Sequence, residues 1–213
     1  MATRTPAGRE LLLHDRQLGA RYVAGADEAG RGALAGPIVA AAVLFEPAAL
    51  TVEHLTALER LNDSKKLSEA RRAELALAIG TAALAISVVA ISAAEIDELG
   101  IQAANLGGLS RALDLVQAPE GSELLVDGFA LPMQPRAHRA LVKGDATSAA
   151  IAAASIIAKT TRDRVMEQLD AASPGYGFGA HAGYGTAVHM EAITRLGPCR
   201  AHRHSFAPIS LAA

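Results

Sequence analysis

The run Pro37–Phe45 (PIVAAAVLF) is the feature that most constrains this chain. A strand with one wet face alternates apolar and polar residues. A run of strand length with no polar residue belongs in the middle of a sheet covered on both faces. Such a strand needs helices above and below it, and 213 residues supply enough chain for one layered α/β domain. Apolar residues are 51% of the total, which excludes a mainly disordered chain. Small side chains, alanine above all, favour close approach of helix to sheet. Aromatics are only 3% and Trp is absent, so the stacking platforms of an OB-fold or RRM reader of single strands are not available.

The remaining pattern alternates strand and helix. Arg21–Ala26 reads as a short strand ending in an acidic pair. Ser68–Ile79 reads as a helix, with Ser68 as N-cap, Glu69 in the first turn and Gly80 as its stop. Ile86–Ile91 is β-branched and reads as a buried strand. Glu95–Val116 reads as one or two helices, broken near Gly100 or Gly107. Glu123–Val126 and Ala140–Val142 are short strands, Thr147–Leu169 a long helix with a small-residue first half, and Ala187–Leu196 a last helix. The chain is expected to be a single domain over 1–213, with 165–213 a helical C-terminal subregion. Leu75–Ala94 is free of charge and long enough to span a bilayer. Its alanines, Gly80 and scattered Ser and Thr, and its split into helical and strand-like halves, fit a helix followed by a strand better.

The N-terminus, MATRTPAGRELLLHDRQ, has no apolar segment of signal-peptide length, which points to a cytoplasmic protein with no membrane partner. A single cysteine, Cys199, excludes a disulfide scaffold and a Cys-built zinc site, and fits a reducing compartment. The net charge of −2 argues on its face against a nucleic-acid binder. Its distribution does not. Residues 1–129 hold 11 basic and 17 acidic side chains; residues 130–213 hold 9 and 5, with five of the seven His.

Four acidic residues follow apolar strand residues: Asp27 and Glu28, Asp127, and Asp145. In an α/β sheet, ligands bind in the crevice at the carboxyl ends of strands. Carboxylates gathered there repel one another and favour protonation unless a cation intervenes. Oxygen-only donors point to Mg2+ or Mn2+, and two such ions suit in-line phosphodiester cleavage. The plainer reading makes each acid a turn former, and Asp145 a cap for the long helix. Spacing alone leaves the two readings level.

Motifs add to this. Gly25-Ala26-Asp27-Glu28-Ala29-Gly30-Arg31-Gly32, continuing to Ala35-Gly36-Pro37, resembles the signature of ribonuclease HII, the type 2 ribonuclease H family. Further elements follow in family order: Asn62-Asp63-Ser64-Lys65-Lys66-Leu67-Ser68, Val126-Asp127-Gly128 and Val142-Lys143-Gly144-Asp145. After them come Ala154–Lys159 with Arg162-Asp163-Arg164, Gly183-Tyr184-Gly185-Thr186, and His202–Phe206. The likeness runs from about residue 20 to 208, nearly the whole chain.

The resemblance implies an RNase H-like fold: a five-stranded mixed sheet flanked by helices, with a helical C-terminal part. It implies cleavage of RNA in RNA–DNA hybrids and incision 5′ to a ribonucleotide embedded in duplex DNA, leaving 5′-phosphate and 3′-hydroxyl ends. Asp27, Glu28, Asp127 and Asp145 match the catalytic acids, and Asp27, Glu28 and Asp127 the metal ligands. Gly30, Arg31, Gly32 and Tyr184 match the elements that read the RNA–DNA junction. A 2′-hydroxyl is the only handle on an isolated ribonucleotide, and glycines let backbone groups approach it. Lys143, Lys159 and Arg162 are candidate phosphate contacts. The family default is a monomer. Two alternatives remain: another RNase H-like nuclease of resolvase or transposase type, and a non-catalytic hybrid-binding module. Two departures stand out. Ala182 follows His181 where members commonly carry Lys, and the segment with Asn105 lacks the usual nearby Met. His181, His189, His202 and His204 lack metal spacing with acidic partners and are expected to be surface, structural or phosphate-facing, and no partner-binding extension is expected after Phe206.

Overall fold

A computed structural model describes residues 7–62 and 64–212; of Lys66, Leu211 and Ala212 it describes the backbone alone. Residues 1–6, within the N-terminal stretch read above, and Asp63, within the Asn62–Ser68 motif, lie outside the described residues.

Helix α1 (Ala7–Gln17) leads into strand β1 (Val23–Ala29) and strand β2 (Ile38–Phe45). Helices α2 (Val52–Leu58) and α3 (Glu69–Ala82) precede strand β3 (Ala85–Ile91). Helices α4 (Ala93–Leu99) and α5 (Ile101–Leu115) follow, then the short strands β4 (Glu123–Asp127) and β5 (Arg139–Leu141). A 3-10 turn, Gly144–Ala146, enters the long helix α6 (Ala149–Ala172). Helices α7 (Phe178–His181), α8 (Ala187–Leu196) and α9 (Ile209–Ala212) complete the described chain. The sheet runs β3-β2-β1-β4-β5, with antiparallel pairs β1–β2 and β2–β3 and parallel pairs β1–β4 and β4–β5. This is the expected five-stranded mixed sheet with a helical C-terminal part.

The apolar run forms β2, and all eight of its residues are buried, as a strand covered on both faces requires. Alternation sorts the sheet residues between two cores. Val23, Val43, Phe45 and Leu125 pack with α6 and α3; Ala24, Ala26, Ala42, Leu44, Leu124 and Val126 pack with α5. The five alanines within Ala149–Ala154 let α6 lie on the sheet at backbone distance. A Cβ on Gly25 of β1 would sit 2.3 Å from the backbone of Ala150 and Ile151. Only glycine permits that approach.

Four expectations need correction. First, β1 extends to Ala29, because Asp27, Glu28 and Ala29 pair with Ala41, Ala40 and Val39 of β2. The acidic pair therefore lies within the strand. Second, Gly80 does not stop α3, which continues to Ala82. Burial of Ile79 and Ala82 outweighs the roughly 1 kcal/mol cost of a helical glycine. Third, β3 is buried on one face only: it is an edge strand, with Ser87, Val89 and Ile91 inward and Ile86 and Val88 exposed. Fourth, the cap of α6 is Ser148, whose Oγ accepts from the Ile151 N–H, and Asp145 lies upstream in the 3-10 turn. The break near Gly100 occurs as expected, with φ +80. Helix α3 followed by β3 accounts for the charge-free stretch, and no described helix is long and apolar enough to cross a membrane.

Candidate active site

Strand alternation separates the two neighbouring acids. Asp27 shares the α6 side with Val23 and Gly25; Glu28 shares the α5 side with Ala24 and Ala26. Their surroundings match. The Ser155 hydroxyl of α6 favours ionised Asp27, and the Asn105 amide of α5 favours ionised Glu28. Asp27 is 6% exposed and its Oδ1 accepts the Glu28 N–H at 2.7 Å. Burial, then the charges of Glu28 and Asp127, push its carboxyl well above the usual carboxylate range. Burial also raises Glu28, and Asp127 adds to it, while Arg31 and Lys65 pull it back.

Asp127 is the last residue of β4, beside β1 in the sheet. Its Oδ1 accepts the Gly144 N–H at 2.6 Å, which ties the strand end to the turn that carries Asp145. Lys143, exposed and left-handed at φ 57, starts that turn. The structure thus gathers Asp27, Glu28 and Asp127 into one electrostatic field and ties the turn that carries Asp145 to Asp127.

A cleft of about 440 Å3 opens beside Glu28, lined also by Gly30, Arg31, Gly32, Lys159 and Tyr184. Three residues to which sequence reasoning gave no role, Ser64, Lys65 and Ser155, line it as well. Ser64 and Ser155 share a buried hydroxyl–hydroxyl bond of 2.9 Å. Arg72 holds the Ser64 turn by donating to the Leu67 carbonyl at 2.7 Å and pairing with Asp163 at 3.2 Å. The Asn62–Ser68 motif was the available signal for the two turn residues and Ala154–Lys159 for Ser155; the resemblance drew attention to the segment with Asn105 without giving it a role. A larger groove of about 640 Å3 runs along α5 and Leu131–Met133, but no titratable side chain lines it.

Arg31 donates to Gln102 Oε1 at 2.7 Å and lies 4.8 Å from the Phe129 ring, at the rim of the cleft. Tyr184 is 41% exposed. Lys159 pairs with Asp163 one turn along α6 while facing the cleft. Arg162 corrects an expectation: it is 1% exposed and cannot meet a phosphate. Its Nε donates to the Pro37 carbonyl at 2.9 Å and its Nη2 to the Ala35 carbonyl at 3.2 Å. Arg203, also missed, is fully buried and donates to the carbonyls of Gly30, Arg31 and Gly36 at 2.7–3.0 Å. Two buried guanidiniums therefore splint the loop 30–37 from within. The i, i+3 spacing of Lys159 and Arg162 cannot reveal this, because which helix face is buried depends on what packs there.

Among the described residues, no three His, Cys, Asp or Glu side chains form a ready-made metal cluster. The donor chemistry still fits a hard divalent cation: the carboxylates are all-oxygen donors, and Asp27 and Glu28 are destabilised as anions by burial and by their neighbours.

A mixed sheet that brings such carboxylates to a glycine-lined basic cleft defines the RNase H-like class of metal-assisted nucleases. The ribonuclease HII family profile matches residues 24–209. Ribonuclease HII of Rhodococcus erythropolis is 50% identical over 190 residues, 88% of this chain and 80% of that protein. The crystal structure of ribonuclease H2 from Pyrococcus horikoshii superposes with TM-score 0.71 at 25% identity, covering 90% of this chain and 96% of the other. The Bst ribonuclease HIII in complex with Mn2+ shares the fold, with TM-score 0.70 at 23% identity over 94% of this chain and 71% of that one. The chain belongs to the ribonuclease HII family and is an endonucleolytic phosphodiester hydrolase that depends on divalent metal.

Proposed function

We propose that this protein cleaves the RNA strand of RNA–DNA hybrids and incises duplex DNA 5′ to an embedded ribonucleotide, leaving 5′-phosphate and 3′-hydroxyl ends. The observation that carries the reading is the coupling of Asp27, Glu28 and Asp127 beside the cleft that Gly30, Arg31, Gly32 and Tyr184 share. Asp27, Glu28 and Asp127 would hold Mg2+ or Mn2+, two ions in the working complex, and Asp145 would complete the catalytic acids. Bound there, such cations would supply an activated water and positive charge at the scissile phosphate.

The chain's own groups bind and orient. The carbonyls of Gly30 and Arg31 are turned inward onto Arg203. Reading of the ribose 2′-hydroxyl then falls to the N–H groups of the loop, brought close by Gly30 and Gly32. The Tyr184 ring packs on the neighbouring sugar and its hydroxyl holds the ribose. Arg31, held by Gln102 and Phe129, stands at the rim. Lys143 and Lys159 meet backbone phosphates. The sheet and the C-terminal helices act as one catalytic unit, since Arg162 of α6 and Arg203 beyond α8 both hold the Gly30–Pro37 loop. We infer a monomer, working in the cytoplasm where such duplexes arise.

The test is a duplex with one embedded ribonucleotide, incubated with Mg2+ or Mn2+. A nick on its 5′ side is expected. Absence of a metal-dependent nick there overturns the reading.

A further inference from the structure

Beneath the Tyr184 loop lies a set of histidines that the reading above leaves without a task. His189 and His202 are both fully buried, and their Nε2 atoms lie 3.1 Å apart. Each remaining ring nitrogen has one defined partner. His189 Nδ1 is 2.9 Å from the Tyr184 carbonyl oxygen, which can only accept. That nitrogen therefore carries the hydrogen, and His189 Nε2 is left as an acceptor. His202 Nε2 must then be the donor between the two rings, which leaves His202 Nδ1 unprotonated. The Cys199 N–H lies 2.9 Å from that Nδ1 and donates to it. The Cys199 carbonyl, 3.3 Å away, already accepts the His202 backbone N–H at 2.9 Å.

One arrangement satisfies every contact: Cys199 N–H to His202, His202 to His189, His189 to the Tyr184 carbonyl. It exists only with both rings neutral. Burial favours that state, lowering His189 and bringing His202 to about 4. The third histidine closes the loop from the other side. Tyr184 N–H donates to the His181 carbonyl at 3.0 Å, and Gly183 N–H to His181 Nδ1 at 3.2 Å. The Gly183 carbonyl in turn accepts from Leu34 at 2.8 Å, on the loop that carries Gly30–Gly32.

We propose that His189 and His202 are positioning residues for the Tyr184 substrate contact, a one-way hydrogen-bonded relay that fixes the Tyr184 backbone relative to the Gly30–Gly32 loop and so sets discrimination at the RNA–DNA junction. The proposal rests on Tyr184 touching substrate, and the experiment separates the two ideas.

The readout is the ratio of kcat/KM on a duplex with one ribonucleotide to that on a uniform hybrid, for wild type, His189→Leu, His189→Asn and Tyr184→Ala. His189→Leu removes the donor to Tyr184. His189→Asn keeps an N–H at the Nδ1 position and is the conservative rescue. The loss of one hydrogen bond predicts about a fivefold fall in the ratio for His189→Leu, with recovery to within about twofold in His189→Asn. An unchanged ratio in folded His189→Leu, or an equal fall in both His189 variants, overturns the relay. If Tyr184→Ala loses discrimination while His189→Leu keeps it, the relay alone is wrong. If Tyr184→Ala keeps full discrimination, the substrate contact falls and the relay with it. Should His189→Leu not fold, imidazole 15N spectra of the wild-type protein at neutral pH decide: Nδ1–H on His189 with Nε2–H on His202 is expected, and Nε2–H on His189 overturns the proposal.

Discussion

Asp27 and Glu28 are adjacent in sequence yet belong to opposite faces of β1, the first answering to Ser155 on α6 and the second to Asn105 on α5. The site is thus built around a strand, with both layers of the α/β fold contributing to it. Each carboxylate has its own neutral polar neighbour, and both feel Asp127.

Asp27 sets the first prediction. Its raised carboxyl means that the folded state prefers the protonated group. That preference stabilises the fold below the unfolded value of 3.8 and is lost as pH rises through the folded value. At neutral pH without metal, Asp27→Asn should therefore melt about 2–4 °C above wild type while losing activity a thousandfold or more. Melting curves with and without Mn2+ check this. A variant less stable than metal-free wild type contradicts the electrostatic account.

Gly30 and Gly32 should separate folding from binding. Gly30 has φ +89, and a Cβ there would lie 1.9 Å from Arg162 Nε. Gly30→Ala is expected to cost roughly 3 kcal/mol in denaturant unfolding. A Cβ on Gly32 meets nothing within 4 Å. Gly32→Ala should stay within about 0.5 kcal/mol of wild type and weaken substrate binding instead. Equal destabilisation of the two would show that the loop is not held as described.

Salt dependence distinguishes the basic residues. Removing a phosphate contact lowers the slope of log K against log salt by about 0.9. Lys143→Ala should show that loss. Arg162→Ala should leave the slope unchanged and reduce stability by about 3 kcal/mol or more, because the carbonyls of Ala35 and Pro37 lose a buried charged donor. A smaller slope in folded Arg162→Ala would return that residue to the interface.

The histidine pair predicts an acid limb. His202 titrates at about 4 in the fold, below its ordinary 6.5, so its contribution is complete above 6.5 and lost as pH falls toward 4. His189 and the Cys199 backbone face it directly, the charge of exposed His204 acts on it from further off, and Tyr176 meets its ring edge-on. His202→Gln should therefore be clearly less stable than wild type at neutral pH, with the gap closing as pH falls through that window. A gap independent of pH would mean that His202 is not buried as the neutral form.

Much of the fold was legible locally. The apolar run announced β2, Ser68 announced the start of α3, Gly100 the break between α4 and α5, and small residues the close packing of α6. Helices α1 and α2 passed unread because their apolar faces are short and gain stability mainly by docking on the α6 core. Edge exposure of β3 was invisible because β-branched residues suit a strand on either side.

The sequence by itself determined the chemistry available: the four acids, the glycine-rich loop, the exposed tyrosine and the family to which they belong. These are carried by residue identity and order. The tertiary structure decided which charges face solvent and which serve the scaffold. It turned Arg162 and Arg203 inward beneath the loop, set Glu28 across the strand from Asp27, and joined His189 to His202 in one fixed tautomeric chain. Burial and partner geometry govern these outcomes, and both arise from contacts between residues far apart in the chain.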